Sequence, residues 1–497
     1  MNEKKFAEIS RRDFIRRAAC AAVGTAAMTA TIRDLRMMNA AMAQTNITDY
    51  KALVCIFLQG GNDSNNLIIP TIQSEYNNYA AIRTPVLAIP QSALLGLMNG
   101  SNPYVDPAGH SYGLHPSCPE LQTLFSEGKL AALFNTGTMI YPVTRTQYLA
   151  GLNKPPQLFS HADQQTQWQT SLPDQPPTTG WGGRCADLLN SVQPNAPISL
   201  MVSLAGANTF EVGNIVSQYS VSTSGAISLA MPGTPSGGAN TNRLPTLMSI
   251  LGLPYTNLQS QAYAGVAEHA INTGALLNSA ISSTTNANYW SNTFPTKITP
   301  PEGGAAFTSS LSPQLQMIAR LIAAGSTAAP TGFGMKRQIF FCQVGGYDLH
   351  TGQTNYSAAN PSNVLLGAHT NLLAELSQSM FAFQRAMEQL GLSNMVTSFT
   401  ASDFGRTFPS NGQGSDHGWG SHHLVLGGAV KGQKTYGQFP TLTVNGPNDT
   451  STGRWIPTTA IDQYFATLAS WFGVDSANLA TAFPNLGRFA SSNLGFI

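Results

Sequence analysis

Apolar residues in this chain come in short dense runs separated by long polar stretches. Residues 52–58 form one unbroken run, the pattern of a strand covered on both faces, and it ends in the turn Gln59-Gly60-Gly61-Asn62-Asp63-Ser64. A second run, residues 130–135, follows a stretch near 119–127 that predicts a short helix. Residues 337–344 predict a third buried strand. After it, Leu365, Leu372, Leu376, Phe383, Met387 and Leu390 recur at helical spacing, and Gly391 is a stop signal. Residues 395–400 and 423–427 predict two more strands. A last helix opens at Pro457-Thr458-Thr459, turns Ile461, Tyr464, Leu468 and Phe472 inward and ends at Gly473.

Strand, helix, strand in that order is the unit of a mostly parallel sheet flanked by helices, so the fold class is α/β. Residues 205–245 and 273–312 are rich in Ser, Thr, Gly, Asn and Pro. They predict long loops, or a subdomain capping the core, as one insertion around 205–312.

The start of the chain reads differently. Arg11-Arg12 precedes Phe14 and a mild apolar stretch, residues 18–32, too short and too weak to span a bilayer. That combination predicts a twin-arginine export signal over residues 1–43, cleaved after Ala41-Met42-Ala43, with a single domain over 44–497. The expected location is periplasmic or secreted, with folded cargo exported whole. No second apolar run approaches membrane-spanning length. Charged residues are 10% of the chain and the net charge is +1, so no basic face for nucleic acid is expected. Of the five cysteines, Cys20 lies in the signal; Cys55 and Cys342 sit in apolar runs, where a buried free thiol is expected. There is no Cys-x-x-Cys pair, which argues against a thiolate zinc site.

In open α/β sheets, sites form outside the carboxyl ends of the strands. The first strand is followed by Asp63, the third by Asp348 and His350, the fourth by Asp403 and Arg406, and Asp416-His417 precedes the fifth. Carboxylates and imidazoles converging on one edge are what a divalent cation needs; oxygen and nitrogen donors suit zinc, manganese or iron. Asp63 alone reads equally well as a turn residue capping backbone amides. Arg406 could hold an anionic substrate group, or pair with Asp403 or Asp416. Asp416 could orient His417. His110, His115, His269 and His369 lack such a context and read as structural or exposed. Two hydroxyls are candidate nucleophiles, Thr144 and Ser160; Ser160, with Asp163 three places on, also reads as a helix N-cap.

These residues carry a resemblance. Ile56-Phe57-Leu58-Gln59-Gly60-Gly61-Asn62-Asp63, Gly345-Gly346-Tyr347-Asp348-Leu349-His350, Ser402-Asp403-Phe404-Gly405-Arg406-Thr407 and Asp416-His417-Gly418-Trp419-Gly420 resemble the bacterial family known as domain of unknown function 1501. Leu158-Phe159-Ser160-His161, Thr179-Gly180-Trp181-Gly182-Gly183-Arg184 and Ile456-Pro457-Thr458-Thr459 resemble further parts of its motif set. Members commonly carry twin-arginine signals. They are often encoded beside another exported family of unknown function, numbered 1800, which implies a partner protein from that family. The family is similar to the alkaline phosphatase and sulfatase superfamily. That similarity implies an alkaline phosphatase-like core, metals at the strand ends and a hydroxyl nucleophile at a helix start. On it, Asp63 resembles the first-strand metal ligand, Asp348 and His350 the Asp and His of one metal site, and His417 the late His of that site. Asp403 resembles the Asp of an Asp-His pair, but Phe404 stands where the catalytic enzymes keep the His. The Asp348–His350 spacing is short, and no Cys/Ser-x-Pro-x-Arg is present, although Pro142-Val143-Thr144-Arg145 is faintly similar.

The expectation is an exported metal-dependent hydrolase of small phosphate or sulfate esters. Asp63, Asp348, His350, Asp403, Asp416 and His417 would surround one or two divalent ions, and Ser160, Thr144 and Arg406 would serve catalysis. The alternative is a non-catalytic binding or assembly protein on a degenerate fold, with a structural metal or none. A third reading, a carbohydrate or cell-surface binding protein, rests on the Ser/Thr/Asn-rich middle.

Overall fold

Residues 47–226, 243–281, 294–328 and 332–497 are described in the computed structural model. The arginine pair, the apolar stretch and the cleavage site expected over residues 1–43, Cys20 among them, lie outside the described residues, as does the side chain of His269.

The main sheet contains β1 (Lys51–Leu58), β2 (Leu130–Gly137), β3 (Met201–Ser203), β4 (Tyr219–Ser222), β5 (Gly225–Ala226), β6 (Arg337–Val344), β7 (Val396–Ser402), β8 (Ser421–Leu426), β9 (Lys434–Tyr436) and β10 (Thr459–Ala460). Their order is β5-β4-β3-β6-β1-β7-β8-β2-β9, with β10 also on β2. β1 lies at the centre, parallel to β6 on one side and β7 on the other. The α/β class and the mostly parallel sheet read from the sequence are therefore present.

The side chains of β1 alternate between two cores. Ala52, Val54, Ile56 and Leu58 enter the layer formed by α2 (Pro119–Ser126), α8 (Ser312–Ser326) and α9 (Ala368–Gln389). Leu53, Cys55 and Phe57 enter the opposite layer, with α4 (His161–Thr170), α5 (Trp181–Leu189) and α10 (Ile461–Phe472). Burying such a side chain contributes roughly 1.5–3 kcal/mol, which is why residues 52–58 carry no polar side chain and only the half-buried first position, Lys51, is polar. Of the residues whose spacing predicted α9, Leu376, Phe383 and Met387 lie on its buried stripe, joined by Leu373 and Met380; Leu372 is half-buried, Leu390 caps the end, and Leu365 lies in the short turn before the helix. Gly473 ends α10 at φ 121°, a left-handed conformation open to glycine. Cys55, Cys118, Cys185 and Cys342 are buried free thiols. Among the described residues, no helix is long and apolar enough to cross a membrane.

Two strands depart from the parallel pattern, β5 at the sheet's end and β8, which shapes the site. β8 pairs antiparallel with β7 and β2. The loop 403–420 joins two antiparallel neighbours, so it starts and finishes at one edge of the sheet. That edge also carries the ends of β1 and β6. A parallel β8 would have put Asp416 and His417 at the opposite edge.

The polar middle of the chain is less loop-like than its composition. In sequence, α6 (Arg243–Leu251) and α7 (Leu258–Ile281) lie between α5 and α8; α1 (Gln73–Leu87) and α3 (Arg145–Leu149) come earlier in the chain. Residues 273–281, expected as loop, are the last turns of α7. Thr273, Leu277 and Ile281 are buried there, and tertiary burial outweighs the turn-forming composition.

Candidate metal centre

Four segments meet at the sheet edge. The turn after β1 approaches so closely that a Cβ on Gly60 would lie 2.4 Å from the Asp348 backbone nitrogen. Gly60 and Gly61 also hold φ of 114° and 84°, open only to residues without a Cβ. The loop after β6 supplies Asp348 and His350, the loop 403–420 supplies Asp403, Arg406, Asp416 and His417, and the start of α4 supplies His161.

Three imidazoles surround Asp348. His161 Nε2 lies 3.5 Å from Asp348 Oδ2, while His350 Nε2 and His417 Nε2 each lie 3.2 Å from Asp348 Oδ1. His350 Nε2 and His417 Nε2 are 2.9 Å apart. The opposite nitrogen of each ring is fixed by an acceptor. His161 Nδ1 is 2.6 Å from Asp403 Oδ2, His350 Nδ1 is 2.9 Å from Asp416 Oδ1, and His417 Nδ1 is 2.7 Å from the Phe159 carbonyl. Carboxylates and carbonyls only accept, so the Nδ1 atoms carry the protons and the Nε2 atoms of neutral rings present lone pairs. Those lone pairs face one another and a carboxylate. Either a ring takes a second proton or a cation sits among them.

The surroundings favour a cation. Burial keeps the His417 imidazole below its ordinary pKa, with the charges of Arg406 and His161 adding to the effect. Burial raises the Asp348 carboxyl, but the hydrogen bond and charge of Arg406, then the charges of His161 and His350, carry it below the usual carboxylate value. Burial likewise raises Asp416, and the Asn411 and His350 hydrogen bonds more than reverse it. His161 Nε2 has no hydrogen-bond partner. Two ligands about 2.1 Å from a tetrahedral zinc lie about 3.4 Å apart, close to the 3.2–3.5 Å separations around Asp348. His161, Asp348 and His417 form a set whose donor atoms all lie within 4.8 Å of one another, and His350 reaches the same carboxylate. The side chain of Asp348 is 46% exposed, so the cluster opens to solvent.

The other expected ligands are committed elsewhere. Asp63 is buried against Arg83, Gln353 and Asn65. Burial raises its carboxyl, and the Arg83 charge, His369 and Gln353 bring it below the usual value. Asp403 takes three donors, from His161, Gln165 and the Gly60 N–H, and so holds His161 in place. Asp416 orients His350, where the sequence suggested His417. Phe404 occupies the place expected of a second His. Its ring centroid lies 4.8 Å from that of His161 and 4.6 Å from that of His417, an apolar wall that leaves a donor set for one ion.

The expected catalytic residues also separate. Arg406 is buried and pairs with Asp348 at 2.9 Å, neither with Asp403 nor with Asp416, and donates to the Gly60 and Ser415 carbonyls. It holds a candidate ligand, and three of its four terminal N–H groups are engaged within the protein interior. Thr144 caps α3 in a capping box with Gln147. Ser160 stands at the N-cap position of α4, yet its hydroxyl caps no amide and donates instead to Asp163 Oδ2 at 2.5 Å. Phe159, just before it, is held at φ 72°, a strained conformation for a side-chain-bearing residue, and offers its carbonyl to His417. His161 was missed as a candidate ligand: its signal was the first helical position directly after Ser160, read only as part of a motif.

Fold and site define an α/β protein with a His- and Asp-lined candidate metal centre on the sheet edge. The family model described as Protein of unknown function (DUF1501) matches residues 327–483. That segment includes Asp348, His350, Asp403, Asp416 and His417. No curated protein matches the chain. Two solved structures show distant similarity. One is the C-terminal periplasmic domain of EcEptC from Escherichia coli in complex with Zn, at 11% identity and TM-score 0.28, over 76% of this chain and 73% of that one. The other is Ps i-CgsB in complex with k-i-k-neocarrahexaose, at 7% identity and TM-score 0.32, over 87% of this chain and 74% of that one.

Proposed function

We propose that the protein is an exported metal-dependent hydrolase of phosphate or sulfate esters, on an alkaline phosphatase-like core. One observation carries the reading: three imidazoles with their Nδ1 protons pinned by acceptors turn bare Nε2 atoms toward the Asp348 carboxylate. His161, Asp348, His350 and His417 would hold one divalent ion, zinc by the donor set. Bound there, the ion supplies Lewis-acid polarisation of the ester oxygens.

The chain's own groups do the rest. Ser160 stands at the start of α4, where free backbone N–H groups and the helix dipole favour an anionic ester. Its hydroxyl passes its proton to Asp163 as Oγ bonds to the phosphorus or sulfur and the bond to the leaving alkoxide breaks. Asp163 returns that proton to the leaving alkoxide; water then attacks the same centre, the bond from Ser160 Oγ to phosphorus or sulfur breaks, a water proton restores the Ser160 hydroxyl through Asp163, and phosphate or sulfate is released. Asp403, Asp416 and the Phe159 carbonyl keep each imidazole in the ligating tautomer, and Phe404 keeps water from one side.

Elemental analysis after dialysis against metal-free buffer tests the reading. About one zinc per chain, lost in Asp348→Ala, is expected, together with hydrolysis of nitrophenyl phosphate or sulfate. Folded protein without retained metal and without esterase activity would reject it. The Phe404 wall favours one second reading, a non-catalytic assembly protein that keeps its metal for structure. An exported partner of the 1800 family fits either reading. Co-purification with that partner, in protein equally stable in chelator, would decide for the second.

A further inference from the structure

We propose that Arg454, flanked by Arg145 and Lys154, is the anion-recognition face of this site, where the phosphate or sulfate group of the substrate docks. The inference rests on the metal-dependent reading above and assigns its substrate contact. Arg454 is half-buried, and its Nε donates to the His417 carbonyl at 2.7 Å. Its guanidinium lies over the Phe159 ring, 4.3 Å from the centroid. Phe159 leads directly into Ser160 and His161. The cation is thereby fixed between the segment that supplies His417 and the segment that supplies the candidate nucleophile.

What remains free on Arg454 is its pair of terminal nitrogens, which have no hydrogen-bond or ion-pair partner among the described residues. A guanidinium edge of that kind matches two oxygens of a tetrahedral anion, and stacking on an aromatic ring pre-organises it. The carboxylate of its own loop, Asp449, is committed to the backbone N–H groups of Asn445, Ser451, Gly453 and Arg454 itself. Two further cations stand close by. Arg145 donates to Asn445 on the same loop at 3.3 Å, and Lys154 lies over the Tyr148 ring at 5.6 Å. Tyr148 in turn feels the charge of Arg454. None of the three cations forms an ion pair with a carboxylate among the described residues, in a chain whose net charge is only +1. Arg406, the arginine expected to meet substrate, is buried and occupied. The two arginines divide the work: Arg406 braces Asp348, and Arg454 meets the anion.

Calorimetric titration of zinc-loaded full-length protein with inorganic phosphate, and separately with inorganic sulfate, tests this. Arg454→Gln keeps its zinc and weakens anion binding roughly 10- to 100-fold, the size of charge-assisted hydrogen bonds, and Arg454→Lys recovers part of the loss. Phosphate and sulfate binding unchanged in Arg454→Gln, or no anion binding by the zinc-loaded wild type, overturns the inference. If the wild type retains no zinc, the metal reading falls, but the titration still decides this one: an Arg454-dependent anion affinity upholds it, and its absence overturns it. If Arg454→Gln loses the fold, Arg145→Gln combined with Lys154→Gln probes the same face. A severalfold weaker, less salt-sensitive phosphate affinity supports the proposal, and unchanged affinity overturns it.

Discussion

Replacing Asp403 with Asn tests whether the sheet edge is built to present lone pairs to a cation. Asp403 is fully buried and receives the Gly60 N–H at 3.1 Å, His161 Nδ1 at 2.6 Å and Gln165 Nε2 at 2.8 Å. Asn offers one carbonyl oxygen to these three donors, and its amide sets an N–H against at least one of them. His161 then loses the charged acceptor that holds its proton on Nδ1, so its Nε2 is no longer locked as a ligand. Loss of such a partner lowers metal affinity about 10- to 100-fold, or about 1.4–2.8 kcal/mol. The metal-free fold also loses a charged hydrogen bond in the interior, worth about 1.5–3 kcal/mol. Zinc affinity by chelator competition and melting of the metal-free protein separate the two effects. Folded Asp403→Asn that binds zinc within threefold of the wild type would refute the role given to Asp403 and weaken the case for His161 as a ligand.

Ser160→Ala should abolish ester hydrolysis with zinc retained. Thr144→Ala, by contrast, should cost about 1 kcal/mol of helix capping and leave turnover intact; steady-state assays and elemental analysis of both variants check the choice of nucleophile. Gly60→Ala sets a methyl against the Asp348 backbone at a positive φ, so a destabilisation above about 1 kcal/mol together with weakened zinc binding is expected by calorimetry. Glu211 is buried and its carboxyl is pushed up by burial to about 8 from an ordinary 4.5. The folded state therefore holds a proton that the unfolded chain releases, so this contribution is full below the ordinary value and is lost as pH rises toward 8. On its own this group lowers stability by up to roughly 1.4 kcal/mol per pH unit across that window, against the opposite contribution of the buried His115, His369, His422 and His423, whose imidazoles burial holds at about 3 to 4; Glu211→Gln should therefore make the melting temperature rise more, or fall less, with pH than in the wild type between pH 5 and pH 8. An unchanged slope in that variant would count against the buried-acid explanation.

The five central strands, β6, β1, β7, β8 and β2, were legible because they are covered on both faces: unbroken apolar runs such as residues 52–58 have few other places to go, whereas the short, partly exposed β4 and β9 carry no such run. The acidic strand ends were legible too, since the residues after a parallel strand must gather at one edge. What each acid does there was not. Asp63 and Asp348 look alike as Asp residues after strands. Only the fold shows that Arg83, 20 positions from Asp63, neutralises the first, while Asp348 faces imidazoles. The same limit hid His161, whose partner Asp403 is 242 positions away. The helix in the polar middle was missed because its buried side, Thr273, Leu277 and Ile281, is thin among Ser, Thr and Asn.

That spread in sequence has a kinetic consequence. Asp348 and His417 are 69 positions apart, and His161 arrives from a helix far earlier in the chain. The cluster therefore exists only after β6, β7 and the reversed β8 have closed on β1. Such non-local pairing is slow, because the loop-closure entropy must be overcome before any contact forms. Ion capture should accordingly belong to the last phase of refolding, and a zinc-sensitive dye in a stopped-flow mixer would report completion of the sheet rather than collapse of the chain.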